Sequence, residues 1–503
     1  MGLFAQGEMD AIRLSGGDLR GTARGQAMGG AFGALGGDVT GIMINPAGLG
    51  VYRSSEINVT MALNSANLKT DWQGITNKEG TTKFNFDNVS YVGYYPTGNV
   101  SVPVLNFAFS YNRLKNFNRR YSASAQGVGA SLTDYIANIT NGIARKDMEY
   151  EYRNDGTLIY DPYNTNIPWL STLGWQGYLI NDVTDNSYSG LLLSGETLSP
   201  RLQINEQGYI ESYDFSLGTN FSDKLYLGLT VSLTDLFYHL NSSYGEEFQY
   251  GGNIALTNYF ETTGTGFQFT FGGIWRPADF LRLGIAYHSP TWYRLEDYYQ
   301  GWAYADYEGI KPGTEATPDD AWSRYRFNSP GNWVFSAAGI IGTKAVVSVD
   351  YELKDYTGMK LMNNEGNPYE QDNRYIKEDF RATSTLRAGL EYRFTSQFSG
   401  RVGYSYAQNP YENTFKDEKK EAMIIGTVPH YTIDGDVNYY TAGIGYRFTP
   451  DFYIDVALVY RTQQDKLYAF PSIVDRSGFI VESPAASIAN NTCKGLVTVG
   501  YKF

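Results

Sequence analysis

The side chains with the most versatile chemistry in this 503-residue chain are three histidines, His239, His288 and His430. A histidine can act as a general base or ligate zinc or haem iron. These three are scattered, and neither a Ser-His-Asp arrangement nor a helical pair of zinc-binding histidines accompanies them. We therefore expect surface histidines in or near loops, with haem ligation as the alternative. The sequence predicts no catalytic residue and no metal site.

Cysteine, glycine and acidic residues give no further reactive site. Cys493 is the single cysteine, so the chain has neither a disulfide framework nor a thiolate metal site. The glycine-rich stretch 25–37 lacks both the Gly-x-x-x-x-Gly-Lys-Ser/Thr pattern and the βαβ unit of a nucleotide-binding loop. A formal net charge of −13 argues against a nucleic-acid partner. The pair Asp319 and Asp320 has the character of solvated loop charge, and we expect no cofactor.

The elements that carry these residues follow a period of two. In KLYLGLTVSLT, residues 224–234, leucine and valine alternate with glycine, serine and threonine. The same alternation recurs in STLRAGLEYRF (384–394) and in the last ten residues, KGLVTVGYKF. The chain has no run of about 18 apolar residues that could form a transmembrane helix. Because barrel strands alternate, the mean hydropathy of −0.36 is compatible with a transmembrane β-barrel.

Turn lengths predict how these strands connect. Tight turns join strands in pairs at 221–224, 276–279, 342–344, 395–397 and 449–451. Long loops separate the pairs at 128–206, 241–257, 299–330, 357–381, 410–435 and 470–492. Short turns at one end and long loops at the other are typical of outer-membrane barrels with even strand numbers. With 102–127 counted as one strand, we predict an all-β, 14-stranded antiparallel barrel; a soluble β-sandwich is the alternative.

One stretch, Gly21 to Gly50, carries a family resemblance. It holds the run Met28 to Phe32, then Asp38, then Asn45 to Leu49. This order resembles the N-terminal motif of the FadL family of outer-membrane barrels, which carry long-chain fatty acids and aromatic hydrocarbons. The resemblance implies an outer-membrane location, an N-terminal hatch at 1–55 inside the lumen, and a barrel at 56–503.

The hatch itself combines glycines with apolar residues that need burial. Gly41, Pro46 and Gly48 argue that 36–50 is neither helix nor strand. We expect inward-facing charges on the strands to bond with this irregular backbone; they are Arg387, Arg393, Glu391, Asp350, Glu352, Arg447, Asp455 and Arg461. The predicted ligand-binding and hatch residues are Met28, Phe32, Leu35, Ile42, Met43, Ile44, Asn45 and Pro46.

The first long loop, 128–206, is unusually apolar for an external loop. Ser131 and Asp134 resemble a helix-capping box, and apolar residues at helical spacing follow. A second apolar stretch, IPWLSTLGWQGYLI, comes later in the loop. The predicted external apolar groove comprises Leu132, Ile136, Ile139, Trp169, Leu173 and Trp175. The groove could capture a hydrophobic ligand, the loop could pack on itself over the barrel rim, or it could dock a protein partner.

The expected function is passive diffusion of a hydrophobic small molecule through the outer membrane. A shift of the hatch near Asn45 and Pro46 would open a path to the periplasm. Alternatively the solute would leave sideways into outer-membrane lipid, through a kink that Gly272 and Gly273 would permit. The rival functions are a structural or adaptor barrel, which grips a protein partner through its extracellular loops, and a general polar porin.

Overall fold

The computed structural model describes residues 7–310, 312–319, 321–416, 422, 426–475 and 478–503. Fourteen antiparallel strands, numbered here in chain order, form a barrel that closes because strand 1 pairs with strand 14. Their bounds are Glu56–Trp72, Ile75–Gly93, Leu105–Asn116 with Arg119–Ser124, Leu198–Phe221, Leu225–Phe248, Asn253–Ala278, Leu281–His288 with Trp292–Asp306, Trp322–Asn328 with Asn332–Ile341, Ala345–Asp355, Ala382–Arg393, Phe398–Ala407, Val437–Arg447, Phe452–Tyr468 and Ala486–Lys502. The predicted 14-stranded barrel is confirmed.

The alternation in the sequence separates an apolar outer surface from the lumen. On strand 5, Leu225, Leu229 and Leu233 are exposed on the outside, whereas Thr230 and Thr234 are buried inside. Exposed aromatic rings form two outer bands, as expected at the two interfaces of a bilayer. One band lies near the tight turns and includes Tyr392, Phe394, Tyr446, Phe448 and Phe503; the other includes Trp292, Trp333, Tyr404, Tyr440 and Tyr460. The outer wall therefore has the surface of a membrane-spanning barrel.

Several predicted loops are shorter than the sequence indicated. Loop 241–257 reduces to residues 249–252, because strands 5 and 6 extend to Phe248 and from Asn253. Most of 299–330 is strand, and loops 128–206 and 470–492 end early at Leu198 and Ala486. These loop boundaries were wrong because alternating polar and aromatic residues continue the ladder beyond the apolar band.

The remaining elements lie in the loops. The helices are α4 (Leu132–Thr140), α5 (Trp169–Gln176), α6 (Glu370–Asp379) and α7 (Asn413–Lys416), with 3-10 turns at Arg145–Met148, Pro162–Asn164 and Tyr356–Gly358. The short strands are Glu151–Tyr152, Leu158–Tyr160, Asn181–Thr184, Ser187–Ser189, Gly313–Ala316, Lys360–Asn363, Tyr431–Ile433, Ile473–Asp475 and Gly478–Val481. Within the described ranges, no helix has the length and hydropathy that a membrane span requires.

The N-terminal segment is more helical than predicted. It contains α1 (Glu8–Ser15), α2 (Ala23–Ala27), α3 (Val39–Ile44) and a 3-10 helix, Pro46–Val51. The Asp38 side chain caps α3 by accepting from the Thr40 N–H at 2.9 Å. Pro46 occupies the first position of the 3-10 helix, where no backbone N–H is needed. The expectation that 36–50 is neither helix nor strand was therefore wrong, because caps and breakers here delimit short helices.

Seven glycines on the inner wall allow the segment to pack against it. They are Gly218, Gly228, Gly272, Gly284, Gly389, Gly403 and Gly443, called here the glycine ring. They belong to strands 4, 5, 6, 7, 10, 11 and 12, and a Cβ at any of them would lie closer than 3.0 Å to an atom of the N-terminal segment. Since these strands surround the lumen, residues 27–49 lie inside the barrel and are in close contact with its wall.

Candidate functional site: two chambers in the lumen

Asn45 fixes the N-terminal segment to two strands. Its Nδ2 donates to the carbonyls of Gly33 at 2.8 Å, Gly273 at 3.1 Å and Ile285 at 3.3 Å. Its Oδ1 accepts from the Ala47 N–H at 3.1 Å. Two of these four bonds join the segment to strands 6 and 7, and the other two lie within the segment. The structure therefore places Asn45 and its neighbour Pro46 at an anchor point.

The other predicted hatch residues are mostly packed away from open space. Met28, Phe32 and Leu35 are buried in one apolar cluster, Ile42 is buried in another, and Met43 is also buried. Of the eight predicted residues, Ile44 alone lines one of the two chambers described below. Their role in ligand binding stays a prediction.

Charged residues of the wall bond to the segment, as the alternation predicted for some of them. Arg24 pairs with Glu391 at 2.8 Å, and Arg401 pairs with the same carboxylate at 2.6 Å. Asp350 accepts from the N–H groups of Phe32 at 3.0 Å and Gly33 at 2.9 Å. In contrast, Arg393 and Arg447 are exposed beside the turns that follow strands 10 and 12.

A first chamber of about 180 Å³ lies on the side of strands 1–3 and 13–14. Its apolar lining includes Met9, Ile12, Leu19, Phe117, Tyr238 and Leu240. Its polar lining contains buried atoms that have no hydrogen-bond partner among the described residues, namely Asn64 Oδ1, Arg113 Nε, Asn116 Nδ2, His430 Nδ1 and Arg461 Nε. Because such atoms are costly to leave unsatisfied, the chamber suits a molecule with an apolar body and a polar group.

A second chamber of about 210 Å³ lies across the lumen, on the side of strands 6–11. Its lining is mainly polar and charged and includes Arg20, His288, Glu352, Lys354 and Arg387. Ile44 and Gly30 of the N-terminal segment also border it. The second chamber therefore adjoins the part of the segment that packs on the wall.

Residues 14–19, called here the partition, separate the two chambers. Asp18 and Leu19 line both of them. Helix α1 leads into the partition, and lysines from two different strands donate to carbonyls at the end of this helix. Lys115 Nζ lies 2.6 Å from the Arg13 oxygen, and Lys354 Nζ lies 2.6 Å from the Ser15 oxygen. Such lysine contacts satisfy carbonyls that a helix terminus leaves free.

The wall beside the first chamber has a gap between strands 2 and 3. Among the described residues, their backbone ladder covers only Asn88–Gly93 and Phe107–Asn112. Farther out, side chains bridge the strands, with Asn77 Nδ2 3.2 Å from Ser124 Oγ and Arg120 Nε 3.0 Å from Glu79 Oε2. Asn85, Asp87, Arg113 and Asn116 line the chamber along this gap.

The gap follows from a bulge in strand 3. The register against strand 4 shifts between Arg113 and Lys115, and the strand is interrupted at 117–118. A bulge frees backbone groups from the ladder, and here the Leu114 carbonyl accepts from the Asp18 N–H of the partition at 2.9 Å. The kink that Gly272 and Gly273 would permit is not formed, since both residues pair regularly with strand 7.

The histidines do not occupy the surface positions that we expected for all three. His288 is buried, with Nε2 2.9 Å from the Ile44 carbonyl oxygen. His430 is buried in the first chamber, and burial lowers the pKa of this loop residue to about 3. His239 lies on the outer wall beside Tyr259. The three residues thus face three different environments, and the described residues contain no group of ligands that could hold a metal.

The long external loop packs into the outer mouth of the barrel. Ser131 caps α4 as predicted, and Leu132, Ile136, Trp169 and Leu173 are buried in the largest apolar cluster. Ile139 and Trp175 are partly buried against it. This arrangement corresponds to the self-packing alternative, and ligand capture by these six residues stays a prediction. In a different loop, Asp319 of the predicted solvated pair Asp319 and Asp320 is exposed, and Asp320 lies outside the described residues.

Sequence reasoning missed the residues that line the chambers. Arg20, Arg113, Asn116, His430 and Lys354 belong to four separate segments, so no local motif unites them. One signal was available, because the basic stretch 113–120 breaks the period of two inside strand 3.

Comparisons with known proteins agree with this architecture. Residues 201–478, more than half of the chain, match the model of the family described as "Outer membrane protein transport protein (OMPP1/FadL/TodX)". A FadL homologue from Pseudomonas aeruginosa shares 14% identity at a TM-score of 0.55, over 96% of this chain and 98% of that one. The P. putida toluene transporter TodX shares 13% identity at a TM-score of 0.51, over 97% and 99%. A comparison with curated protein sequences finds no match.

Proposed function

Because this chain belongs to the OMPP1/FadL/TodX family of outer-membrane transport proteins, we propose that it carries hydrophobic small molecules bearing a polar group. Long-chain fatty acids are the model substrate. The solute binds in the first chamber and leaves through the gap between strands 2 and 3 into the outer membrane. The observation that carries this proposal is the position of the chamber directly behind the gap.

The lining of the first chamber defines the class of solute. Its apolar side chains favour a hydrocarbon body, while the unpartnered atoms of Arg113, Asn116 and His430 need hydrogen-bond partners. A bare hydrocarbon that displaced water from these groups would leave each one unsatisfied, at a cost of about 1–3 kcal/mol. A carboxylic acid or an alcohol can satisfy some of them, which favours solutes with a polar head.

The gap gives such a solute an exit that breaks few strong interactions. The ion pair between Arg120 and Glu79 is mostly exposed on the arginine side, and exposed pairs contribute roughly 0–1 kcal/mol. Elsewhere in the described barrel wall, a sideways exit would break several ladder hydrogen bonds at once. The solute therefore meets least resistance between strands 2 and 3.

The packing of the N-terminal segment argues against movement at Asn45 and Pro46. Displacing Asn45 would break its four hydrogen bonds, and Pro46 packs directly on Gly228 of the glycine ring. The partition is also bonded to the wall, through Ser15, Asp18 and Leu19, but it contains Gly16 and Gly17, which give its backbone more freedom to adjust. We therefore propose that residues 14–19, and not Asn45 and Pro46, move when a solute passes between the chambers.

A cross-link across the gap tests the exit route. In a Cys493→Ser background, Asn77→Cys and Ser124→Cys would join the two strands where their side chains already meet. We expect oxidation to reduce uptake of labelled oleate by cells that carry the barrel, and reduction to restore it. The matched control is Ser243→Cys with Thr257→Cys, two outward residues 3.4 Å apart on the regularly paired strands 5 and 6.

The outcomes separate the exit from the substrate. Normal uptake through the oxidised gap pair would refute lateral exit between strands 2 and 3. No oleate uptake by the unmodified barrel would refute the substrate class. The family match is to transport proteins, and it does not favour the structural or adaptor barrel.

A further inference from the structure

Two arginines with no anionic partner face each other on the outer wall. Arg294 of strand 7 lies directly opposite Arg326 of strand 8 in the ladder. The residues before and after each arginine are buried, so alternation places both arginines on the outer face. Like charges directly opposite each other destabilise a sheet. Arg326 Nε is also buried without a hydrogen-bond partner among the described residues, so an anion would stabilise this pair.

Two further cations extend the pair, and Arg294, Arg324, Arg326 and Lys360 are called here the cation patch. Lys360 is exposed and lies diagonally beside Arg326 in the ladder between strand 8 and the short strand Lys360–Asn363. Within two residues of these cations along their strands, the one outward carboxylate among the described residues is Glu296, which pairs with Arg324. Glu365, in the adjoining turn, accepts from two asparagine side chains. Four cations and two carboxylates leave this patch positive, although the whole chain has a net charge of −13.

The cation patch lies at the outer edge of the membrane-spanning surface. Trp292 of the outer aromatic band precedes Arg294 by two residues on the same strand, a distance of about 7 Å. On the side toward the tight turns the wall is apolar, and Phe335 and Leu353 are exposed there. Aromatic bands lie at the level of the lipid head groups. The patch is therefore level with the phosphates of the outer leaflet.

We infer that the cation patch binds the phosphate head group of an outer-leaflet lipid, whose acyl chains lie against the apolar wall. A guanidinium matches phosphate because its planar fork donates parallel hydrogen bonds. Directly opposite residues have Cβ atoms about 5 Å apart, so Arg294 and Arg326 can hold different oxygens of one phosphate. Lys360 adds a third positive charge beside them.

The bound lipid would bridge three neighbouring strands. The short strand Lys360–Asn363 is joined to strand 8 by only four residue pairs, and a phosphate shared with strand 7 would add a contact across this junction. The inference goes beyond the proposed function, because the residues of the cation patch line neither chamber and lie away from the gap between strands 2 and 3.

Lipid binding to the purified full-length barrel in neutral detergent tests the site. The probes are dioleoyl phosphatidic acid and dioleoyl phosphatidylcholine, counted on the protein by native mass spectrometry over a titration, with inorganic phosphate as a competitor. We expect phosphatidic acid to bind saturably to the unmodified protein and roughly tenfold or more weakly to Arg294→Gln with Arg326→Gln, because each basic residue at a membrane surface strengthens binding of anionic lipid several-fold. Phosphatidylcholine should bind both proteins weakly and equally. Arg294→Lys with Arg326→Lys, which keeps the charges but not the forks, should retain part of the affinity.

Lys69 and Lys78 provide a matched control pair. They too are exposed and directly opposite each other, on strands 1 and 2. They lie six residues, or about 20 Å along the strands, beyond Leu63 and Phe84, which are paired and exposed on the apolar wall. A lipid whose chains cover that wall cannot place its phosphate so far out. Lys69→Gln with Lys78→Gln should therefore leave phosphatidic acid binding unchanged.

Three results would overturn the inference. The first is equal binding of phosphatidic acid by the unmodified protein and by Arg294→Gln with Arg326→Gln. The second is equal affinity of the unmodified protein for phosphatidic acid and phosphatidylcholine. The third is displacement of phosphatidic acid by an equal concentration of inorganic phosphate, which would indicate a site for free phosphate. The glutamine variant should melt no lower than the unmodified protein in lipid-free detergent, since it removes a repulsion, so that weaker binding reports on the site and not on unfolding.

Discussion

Adding one methyl group to the glycine ring should loosen the N-terminal segment from the wall. In Gly272→Ala, the new Cβ would lie within 3.0 Å of Asn45 side-chain atoms and of Pro46 Cδ. The Asn45 side chain would have to move away, which would break the bonds from its Nδ2 to three carbonyls and the bond from the Ala47 N–H. Two of these bonds, to Gly273 and Ile285, hold the segment to the wall, so at about 1 kcal/mol for each hydrogen bond its docking would weaken by roughly 2 kcal/mol.

Planar-bilayer conductance and limited proteolysis measure this loosening. We expect Gly272→Ala to raise the ionic conductance and to expose residues 21–50 to protease, while the barrel strands stay folded. Gly273→Ala is the matched control, because its Cβ would meet only ordinary contacts, the nearest at 3.7 Å, from Leu227. If Gly272→Ala keeps the conductance and protease resistance of the unmodified protein, the segment does not depend on close contact with the wall.

Three further predictions concern the loops and the gap. Trp169→Ala should loosen the external loop by about 3–5 kcal/mol, the usual cost of truncating a buried tryptophan, and protease should then cut within 128–197. Burial raises the pKa of Asp372 on α6 to about 6, so its contribution to loop stability is complete below its usual pKa of 3.8 and is lost as the pH rises through about 6. The amide protection factors of α6, which correct for the base-catalysed rise of intrinsic exchange, should be lower at pH 8 than at pH 4, and Asp372→Asn should remove the difference. Arg120→Ala should increase oleate uptake without lowering the melting temperature of the barrel, because the pair with Glu79 is exposed; a large fall in that temperature would contradict this.

The barrel could be predicted because alternation directly encodes which side of a strand faces lipid. Leu225, Leu229 and Leu233 needed no tertiary information to be placed outside. The strand lengths were harder, since a ladder that rises above the membrane no longer requires apolar residues. That is why 241–257 was expected to be a loop although strands 5 and 6 continue almost to their connection.

The chambers could not be predicted because alternation gives the face of a residue but not what lies opposite it. His288 is the last residue of an alternating strand and faces inward, yet its partner is the Ile44 carbonyl of a distant segment. Arg20 and Lys354 meet in one chamber only after the N-terminal segment has packed inside the lumen. The motif around Asn45 predicted a segment inside the lumen, and the glycines of this segment predicted its close packing. Neither indicated that the two chambers would lie away from most of the predicted hatch residues.

Strand 3 links the exit to the partition. Its outer part borders the gap, and the Leu114 carbonyl at its bulge bonds to the partition. The neighbouring Lys115 ammonium group bonds to Arg13 in helix α1, just before the partition. A displacement of this part of strand 3 that widens the gap must therefore also strain or break the bonds to Asp18 and Arg13. Gly16 and Gly17 lie between these two contacts and permit the backbone to adjust. The two chambers should thus be most nearly connected when the gap is open, so that a solute can pass between them in the same state from which it escapes into the membrane.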